Sequence, residues 1–298
     1  MTGLAGLTAA AYAFSPHFFK QYFRELSAGS APAGRIPDIG KWPDKGLHAA
    51  WLGHSTVLLK VDGYTILTDP VFSDVAGISL GLLTVGVRRR VQPPVGLDKL
   101  PPIDLVLVSH AHMDHLDKPS LRALEGPRTH IVTASHTKDL FRSDRYAQAT
   151  ELGWGETVQA GPARVRAFEV NHWGARMRTD TYRGYNGYTV EVGKRRVLFG
   201  GDTALTGTFR SARFTSDIDL AIMPIGAYNP WIRFHCTPEQ AWRMGEDARA
   251  HYLLPVHHQT FNLSREPLLE PVERFVGAAG SRPERVALYE IGQEFHLS

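Results

Sequence analysis

The stretch Ser109-His110-Ala111-His112-Met113-Asp114-His115 packs three imidazoles and a carboxylate into six consecutive positions. Imidazole and carboxylate are the ligands that catalytic zinc takes, at about 2.0–2.2 Å, with one position left for water. In a loop leaving a strand, residues i and i+2 can point alike toward one ion while the following Asp and His turn toward a second. One such loop cannot close two sites, so further ligands are expected at the ends of later strands. His172, Asp202 and His257 stand at such ends, and Gly200-Gly201 lets the backbone before Asp202 approach closely.

A second tier of candidates surrounds these. His54 and Asp69 each close an early predicted strand and are candidates to orient a metal ligand, as histidine-bound zinc ordinarily requires; Asp69 could instead cap the turn before Pro70. His235 is a candidate substrate or leaving-group contact, because imidazole works as acid or base near neutral pH; the alternative is a surface histidine ahead of a helix cap. His258 reads as a solvent-facing neighbour of the ligand, with a one-residue exchange between His257 and His258 left open. Arg88-Arg89-Arg90 could grip a phosphate bidentately or form a solvated loop. Tyr185, Tyr228, Trp173 and Trp231 either line a cleft or pack in the core.

The elements that must position these groups follow from apolar patterning. Leu47–Leu52, Thr56–Val61 and Tyr64–Thr68 read as strands, with Asp62-Gly63 as a type I′ turn. Leu105–Val108 is a continuous apolar run, the mark of a buried strand, and stops at Ser109. Val165–Val170, Tyr188–Val192, Val197–Phe199, Leu220–Met223 and Tyr252–Val256 continue the pattern. Helices are predicted over Pro119–Glu125, from Thr237 as N-cap to about Ala250, and over Glu270–Ala279. Phe72–Pro94 reads as long and irregular. Two strand-rich halves with outer helices predict an α/β fold, a four-layer αβ/βα sandwich.

Bulk properties narrow the classes. A chain of 298 residues with 43% hydrophobic content suffices for one core. Against 30 acidic residues stand 33 basic ones, a net +3 that suggests no general nucleic-acid binder. The single cysteine, Cys236, excludes an intramolecular disulfide and Cys-rich structural zinc. No stretch reaches the roughly 20 apolar residues of a membrane span. Met1–Phe14 is apolar but lacks the positive start of a signal peptide; with Phe18, Phe19, Tyr22 and Phe23 it reads as an anchor, a surface-lying helix or a flexible end. The expected division is an apolar segment and linker over 1–45 and a hydrolase domain over 46–298, cytoplasmic or peripherally membrane-associated.

The pattern His110-x-His112-x-Asp114-His115, then His172, Gly201-Asp202-Thr203 and His257, resembles the metallo-β-lactamase superfamily hydrolases. The resemblance implies two zinc ions: His110, His112 and His172 on one, Asp114, His115 and His257 on the other, and Asp202 bridging. Longer strings are similar to the N-acylphosphatidylethanolamine-hydrolysing phospholipase D branch and its bacterial relatives: Trp51-Leu-Gly-His54-Ser-Thr-Val57, Leu67-Thr-Asp69-Pro70-Val-Phe72-Ser73, Leu100-Pro-Pro-Ile-Asp104, Pro224-Ile-Gly-Ala-Tyr228 and His235-Cys-Thr-Pro-Glu239-Gln-Ala241. His258 departs from that branch, which has a bulky residue there, and Asp74–Val87 matches none of its strings. The implied activity is attack by a zinc-bound hydroxide, fixed by Asp114 and Asp202, on a phosphodiester such as an N-acyl phospholipid, with peripheral membrane contact. A lactonase or other ester hydrolase is the alternative on the same centre. A redox di-iron protein would carry a carboxylate in place of His112, and a non-catalytic binding protein would have lost ligands.

Overall fold

Alternation of apolar residues with a period of two gives each strand two faces, and here both faces are covered. The computed structural model describes residues 29–79, 81, 84–212 and 217–298; the apolar segment expected over Met1–Phe23 lies outside the described residues. The chain lays down β1 (Leu47–Gly53), β2 (Thr56–Val61), β3 (Tyr64–Thr68), β4 (Val75–Ser79), β5 (Thr84–Arg88), β6 (Leu105–Val108), α1 (Lys118–Ala123), β7 (Gly126–Ala134) and β8 (Tyr146–Leu152). The second half adds β9 (Thr157–Ala160), β10 (Ala163–Phe168), β11 (Gly187–Val192), β12 (Arg195–Phe199), α2 (Phe209–Ala212), β13 (Ile218–Pro224), α3 (Pro238–Asp247), β14 (Ala250–Val256), α4 (Glu270–Ala279) and β15 (Glu294–Leu297).

Two sheets result, in the orders β15-β1-β2-β3-β6-β7-β8 and β14-β13-β12-β11-β10-β9. Parity decides the layers. Leu105 and Leu107 of β6 meet Val197 and Phe199 of β12 and Leu220 and Ile222 of β13 in the core between the sheets. The alternate residues Val106 and Val108 face outward onto Leu116 and Leu121 beside α1. On the far side, Leu198, Ala221 and Leu253 pack on Ala241 and Trp242 of α3 and Phe275 of α4. The order is helix, sheet, sheet, helix, as the alternation predicts.

β3, β6, β7 and β8 run parallel, as do β12, β13 and β14. Functional groups of α/β folds gather at the carboxyl ends of parallel strands, where chains leave the sheet with unpaired backbone. Asp69 follows β3, His110 follows β6, Asp202 follows β12 and His257 follows β14. The two sheets are tied together at this edge: Asn186 N donates to Ser109 O (3.0 Å), His257 N to His54 O (3.0 Å), and the buried Tyr188 hydroxyl to Val108 O (3.0 Å).

The structure departs from the expected irregular Phe72–Pro94 stretch. β4 and β5 form an antiparallel hairpin in which Gly77 faces Gly86; two glycines at one register position carry almost no strand signal. Sequence patterning also passed over β7, β8, β9 and β15, of which β8, β9 and β15 are partly exposed and alternate weakly. The Asp62-Gly63 turn has φ of +46° and +84°, both positive as a type I′ turn requires. Ser30 and Ala31, in the predicted linker, lie along Arg89–Gln92, and Trp42 is buried with its indole donating to Glu294 Oε1 (2.6 Å).

α3 starts three residues after His235 and fixes the approach of that segment. Thr237 accepts from Gln240 N, and Gln240 Oε1 accepts from Thr237 N, a complete capping box with Pro238 at the first turn. Thr237→Ala is expected to lower unfolding free energy by about 1 kcal/mol, read from denaturant midpoints, with bound metal unchanged.

Candidate metal centre

One carboxylate oxygen organises the site. Asp202 Oδ2 lies 3.1 Å from His115 Nε2, 3.1 Å from His257 Nε2, 3.8 Å from His172 Nε2, 3.9 Å from His235 Nδ1 and 4.0 Å from His110 Nε2. Around it the ligand-type atoms fall into two groups. His110 Nε2 and His172 Nε2 converge on His112 Nδ1 at 2.8 and 3.3 Å. Asp114 Oδ2 faces His54 Nε2 (3.0 Å), His257 Nε2 (3.4 Å) and His115 Nε2 (3.5 Å). Within each group the ligand atoms all lie within 4.8 Å of one another.

The backbone is bent hard to bring these together. His54, Asp69 and His257 have φ of +49°, +31° and +64°, a region that non-glycine residues adopt only when the surroundings enforce it. Gly201 has φ +57°, and a Cβ there would sit 2.7 Å from Asn186 O and 2.9 Å from Ser109 Cβ. A side chain at 201 would push Asp202 away from the His110 loop. Gly226 is as tightly placed, since its Cβ would meet His257 O at 2.1 Å.

Hydrogen bonds then aim each ring. His115 Nδ1 donates to Asp69 Oδ2 (2.6 Å), which leaves Nε2 turned to Asp202. Asp69 also accepts from Ser109 N (2.7 Å) and Ser109 Oγ (2.5 Å), and Ser109 Oγ lies 2.9 Å from His110 Nδ1. His172 Nδ1 donates to the Phe234 carbonyl (2.9 Å), and Trp173 stacks on His172 with centroids 4.6 Å apart. Neither Ser109 nor the Phe234 carbonyl was singled out by the sequence. Adjacency to His110 is a signal for the first; a backbone carbonyl offers none.

Electrostatics suit a cation. Burial holds His110 well below its ordinary value, His112 at about 3 and His172 at about 4. All three are neutral near pH 7 and keep lone pairs. Burial also works against charge on His115 and His257, but Asp202 and Asp114 outweigh it and raise His115 well above its usual range and His257 to about 9. The carboxylates therefore favour positive charge at these nitrogens, which a proton or a divalent cation can supply. Burial alone would raise Asp114 and Asp202, yet His115 foremost among their partners keeps both well below the carboxylate range. His115 Nε2, His257 Nε2 and Asp202 Oδ1 are buried without a hydrogen-bond partner. Such orphans cost about 1–3 kcal/mol each, and a cation among them would satisfy all three. The donor set fits a divalent metal.

The remaining predicted residues divide. His54 stands among the ligand atoms themselves, with burial holding it at about 3 so that it donates to Asp114 as a neutral ring. His235 is buried beside His172, ring centroids 5.0 Å apart, rather than on the surface. Of the adjacent pair, His257 faces the carboxylates. His258 is no solvent-facing neighbour: the turn at His257 buries it on Trp51, centroids 4.4 Å apart, with burial taking it to about 3. Arg89 is likewise enclosed, donating to Val71 O and to Ser73 O (3.2 Å) over the Phe261 ring, so its guanidinium braces the base of the β4–β5 hairpin and cannot grip a phosphate. Arg88 ends β5, half-buried. Arg90 is exposed and lines a cavity of about 510 Å³ with His257, Gln259, Asn262 and Ser264. Tyr228 donates to Glu270 Oε1 (2.7 Å) under Arg274 and so fastens α4. A second cavity, of about 660 Å³, lies under the hairpin, lined by apolar side chains (Val75, Ile78, Met113, Leu140, Met177) and charged ones (Asp117, Lys118, Arg176, Asp180, Arg183).

Comparison with known proteins agrees with this geometry. The β-lactamase superfamily domain family matches residues 64–258. An uncharacterised protein of Mycobacterium tuberculosis is 36% identical over 273 residues, covering 88% of this chain and 72% of that one. The N-acyl-phosphatidylethanolamine-hydrolyzing phospholipase D 1 of Caenorhabditis elegans is 32% identical over 249 residues, covering 78% of this chain and 69% of its own. A solved isothiocyanate hydrolase from Delia radicum gut bacteria superposes with a TM-score of 0.66 at 17% identity, over 84% of this chain and 99% of that one, a likeness of fold alone. The chain belongs to the metallo-β-lactamase superfamily. Within it, the protein is a metal-dependent hydrolase similar to the N-acylphosphatidylethanolamine-hydrolysing phospholipases D.

Asp69 touches no substrate in this arrangement but holds His115. Asp69→Asn is expected to weaken metal binding roughly 10- to 100-fold, the usual effect of losing such a support. Chelator competition on the purified variant measures it, with unchanged circular dichroism as the control.

Proposed function

We propose that this protein hydrolyses a phosphodiester with an apolar body, of the N-acyl phospholipid kind, at a centre of two zinc ions. The observation that carries the reading is the single Asp202 oxygen within 4.0 Å of five imidazole nitrogens. It is the arrangement needed for one carboxylate to serve two cations at once. His110, His112 and His172 would hold one ion, Asp114, His115 and His257 the other, and Asp202 both. Bound there, the ions supply Lewis acidity toward phosphoryl oxygens and lower the pKa of a shared water toward neutrality.

The chain's own groups do the rest. Asp114 stays ionised and is oriented by the hydrogen bond from His54 Nε2. Asp69 and Ser109 hold the rings of His115 and His110 and so aim their Nε2 atoms into the site. His235 is neutral, and the buried Nδ1 that it turns toward Asp202 has no hydrogen-bond partner. It can donate its one N–H as a hydrogen bond to a phosphoryl or leaving-group oxygen, which makes it a candidate substrate contact. Arg90, exposed at the cavity beside His257, would meet a substrate anion. The apolar part of the hairpin cavity, with Val75, Ile78, Met113 and Met177, would take the apolar body, each buried methylene contributing about 0.8 kcal/mol, while Lys118, Arg176 and Arg183 line the same cavity. The phospholipase D relatives support the phosphodiester. Exposed Ile78, Val85, Met177 and Tyr182 support contact with a lipid surface, together with the apolar segment over Met1–Phe23.

Protein purified without chelator is expected to contain two transition-metal ions per chain by elemental analysis. Asp202→Asn should lower turnover by roughly 10²-fold or more while the fold persists. One ion or fewer in the unmutated protein, or undiminished turnover in the variant, removes the two-ion mechanism.

The substrate is tested separately, under one metal loading, with a long-chain N-acylphosphatidylethanolamine, a short-chain soluble phosphodiester and a lactone. The expected order places the long-chain lipid first in kcat/KM. Equal turnover of the two phosphodiesters excludes the apolar body, and preference for the lactone replaces the phosphodiester by an ester hydrolase on the same centre.

A further inference from the structure

The turn from His112 to His115 carries three of the ligand-type residues, and its own backbone bonds do not tie it to the His172 loop. It is one turn of chain, closed by His115 N and Leu116 N both donating to His112 O (3.1 and 2.8 Å). Its two ends are held from outside by one atom. Arg176 Nη1 donates to Ala111 O (3.0 Å) and to Leu116 O (2.9 Å), the carbonyls just before and just after the ligand run. Both Ala111 and Leu116 are fully buried. These acceptors are shielded from water, and their loss would leave two carbonyls unpaired.

Arg176 also belongs to the loop that delivers His172, four residues earlier. That loop is pinned on its other side: Asp180 accepts from Met177 N (2.6 Å) and from Arg183 Nε (2.6 Å), and Arg183 pairs with Asp139 (2.6 and 2.8 Å). Arg176 is therefore a rivet between the two segments that supply His112 and His172, whose ring nitrogens stand 3.3 Å apart. No other side chain of the 172–184 loop donates to the 110–116 turn among the described residues. A guanidinium suits this task, since its two hydrogens on one nitrogen diverge in a fixed plane and it stays charged.

We propose that Arg176 is a positioning residue of the metal centre: by clasping Ala111 O and Leu116 O it holds the His112–His115 turn against the His172 loop and sets how slowly the ions leave. It also lines the hairpin cavity, so its role is read from zinc release and not from turnover. The inference rests on the proposal that this turn ligates metal. The two fail differently: protein that binds no metal defeats the ligand reading, whereas metal-binding protein indifferent to residue 176 defeats only the role of Arg176.

The test uses zinc-loaded full-length protein, Arg176→Lys and Arg176→Met, with zinc release followed by the absorbance of a chromogenic chelator. Arg176→Met is expected to release zinc roughly 10- to 100-fold faster than the unmutated protein, with Arg176→Lys in between because an ammonium can still reach a carbonyl. Melting temperatures with and without zinc separate positioning from plain structural support: the zinc-induced rise in Tm should shrink in Arg176→Met, over and above the fall in metal-free Tm that two unpaired carbonyls bring. Should Arg176→Met fail to fold, Arg176→Lys alone must still release zinc at least several-fold faster. Release within twofold of the unmutated rate in the folded variants overturns the proposal. So does an equal fall in the loaded and metal-free Tm.

Discussion

Asp202 is an ionised carboxylate, 2% exposed, surrounded by imidazoles at the seam of two sheets. Burying a charge is expensive unless it is paired, and paired charges in a low dielectric attract strongly enough to fix geometry only when every partner is held in place. Much of the local structure answers that demand. Asp69 and Ser109 hold His115 and His110, the Phe234 carbonyl holds His172, and His54 holds Asp114. The positive φ angles at His54, Asp69 and His257 are the backbone's share of the same strain.

The sandwich is what lets this strain persist. Each sheet supplies part of the site from its carboxyl edge, and the sheets are stitched there by His257 N to His54 O and Asn186 N to Ser109 O. Behind the edge lies a core of interdigitated side chains such as Trp51, Phe199 and Tyr188, fully buried. Close-packed interiors do not deform by fractions of a residue, so ligands at the rim inherit the rigidity of the layers beneath.

What the rim does not inherit is substrate preference. The same ligand set serves many hydrolytic reactions, and function resides in the site's surroundings. Those surroundings are the β4–β5 hairpin, the wall at Gly226 and Ala227 and the turn from Gln259 to Pro271. They are loops or short ribbons outside the sheet edge, the part of the fold freest to vary. The hairpin cavity is walled by Val75, Ile78, Met113 and Met177 together with Lys118, Arg176 and Arg183, and Arg90, Asn262 and Ser264 line the one beside His257 together with Phe261 and Leu263. The two cavities share no lining residue, which gives the two arms of a substrate different company.

The four layers, the strand ends and the ligand-type residues were legible in the sequence because they depend on local regularities: a period of two along strands, apolar runs that stop at His110 and His257, glycines before Asp202. Tertiary structure decided what depends on partners far apart in the chain. His54 reaches Asp114 across 60 residues, Asp69 reaches His115 across 46, and Phe234 reaches His172 across 62. The choice of His257 over His258 rested on one backbone angle, and the fate of Arg89, buried while Arg90 is exposed, on its bridge to Phe261 just past the hairpin. Residue types and spacing set which groups could bind a metal; only the packing of two sheets set which atoms face one another, because side-chain direction and distance are fixed by contacts that a linear pattern does not contain.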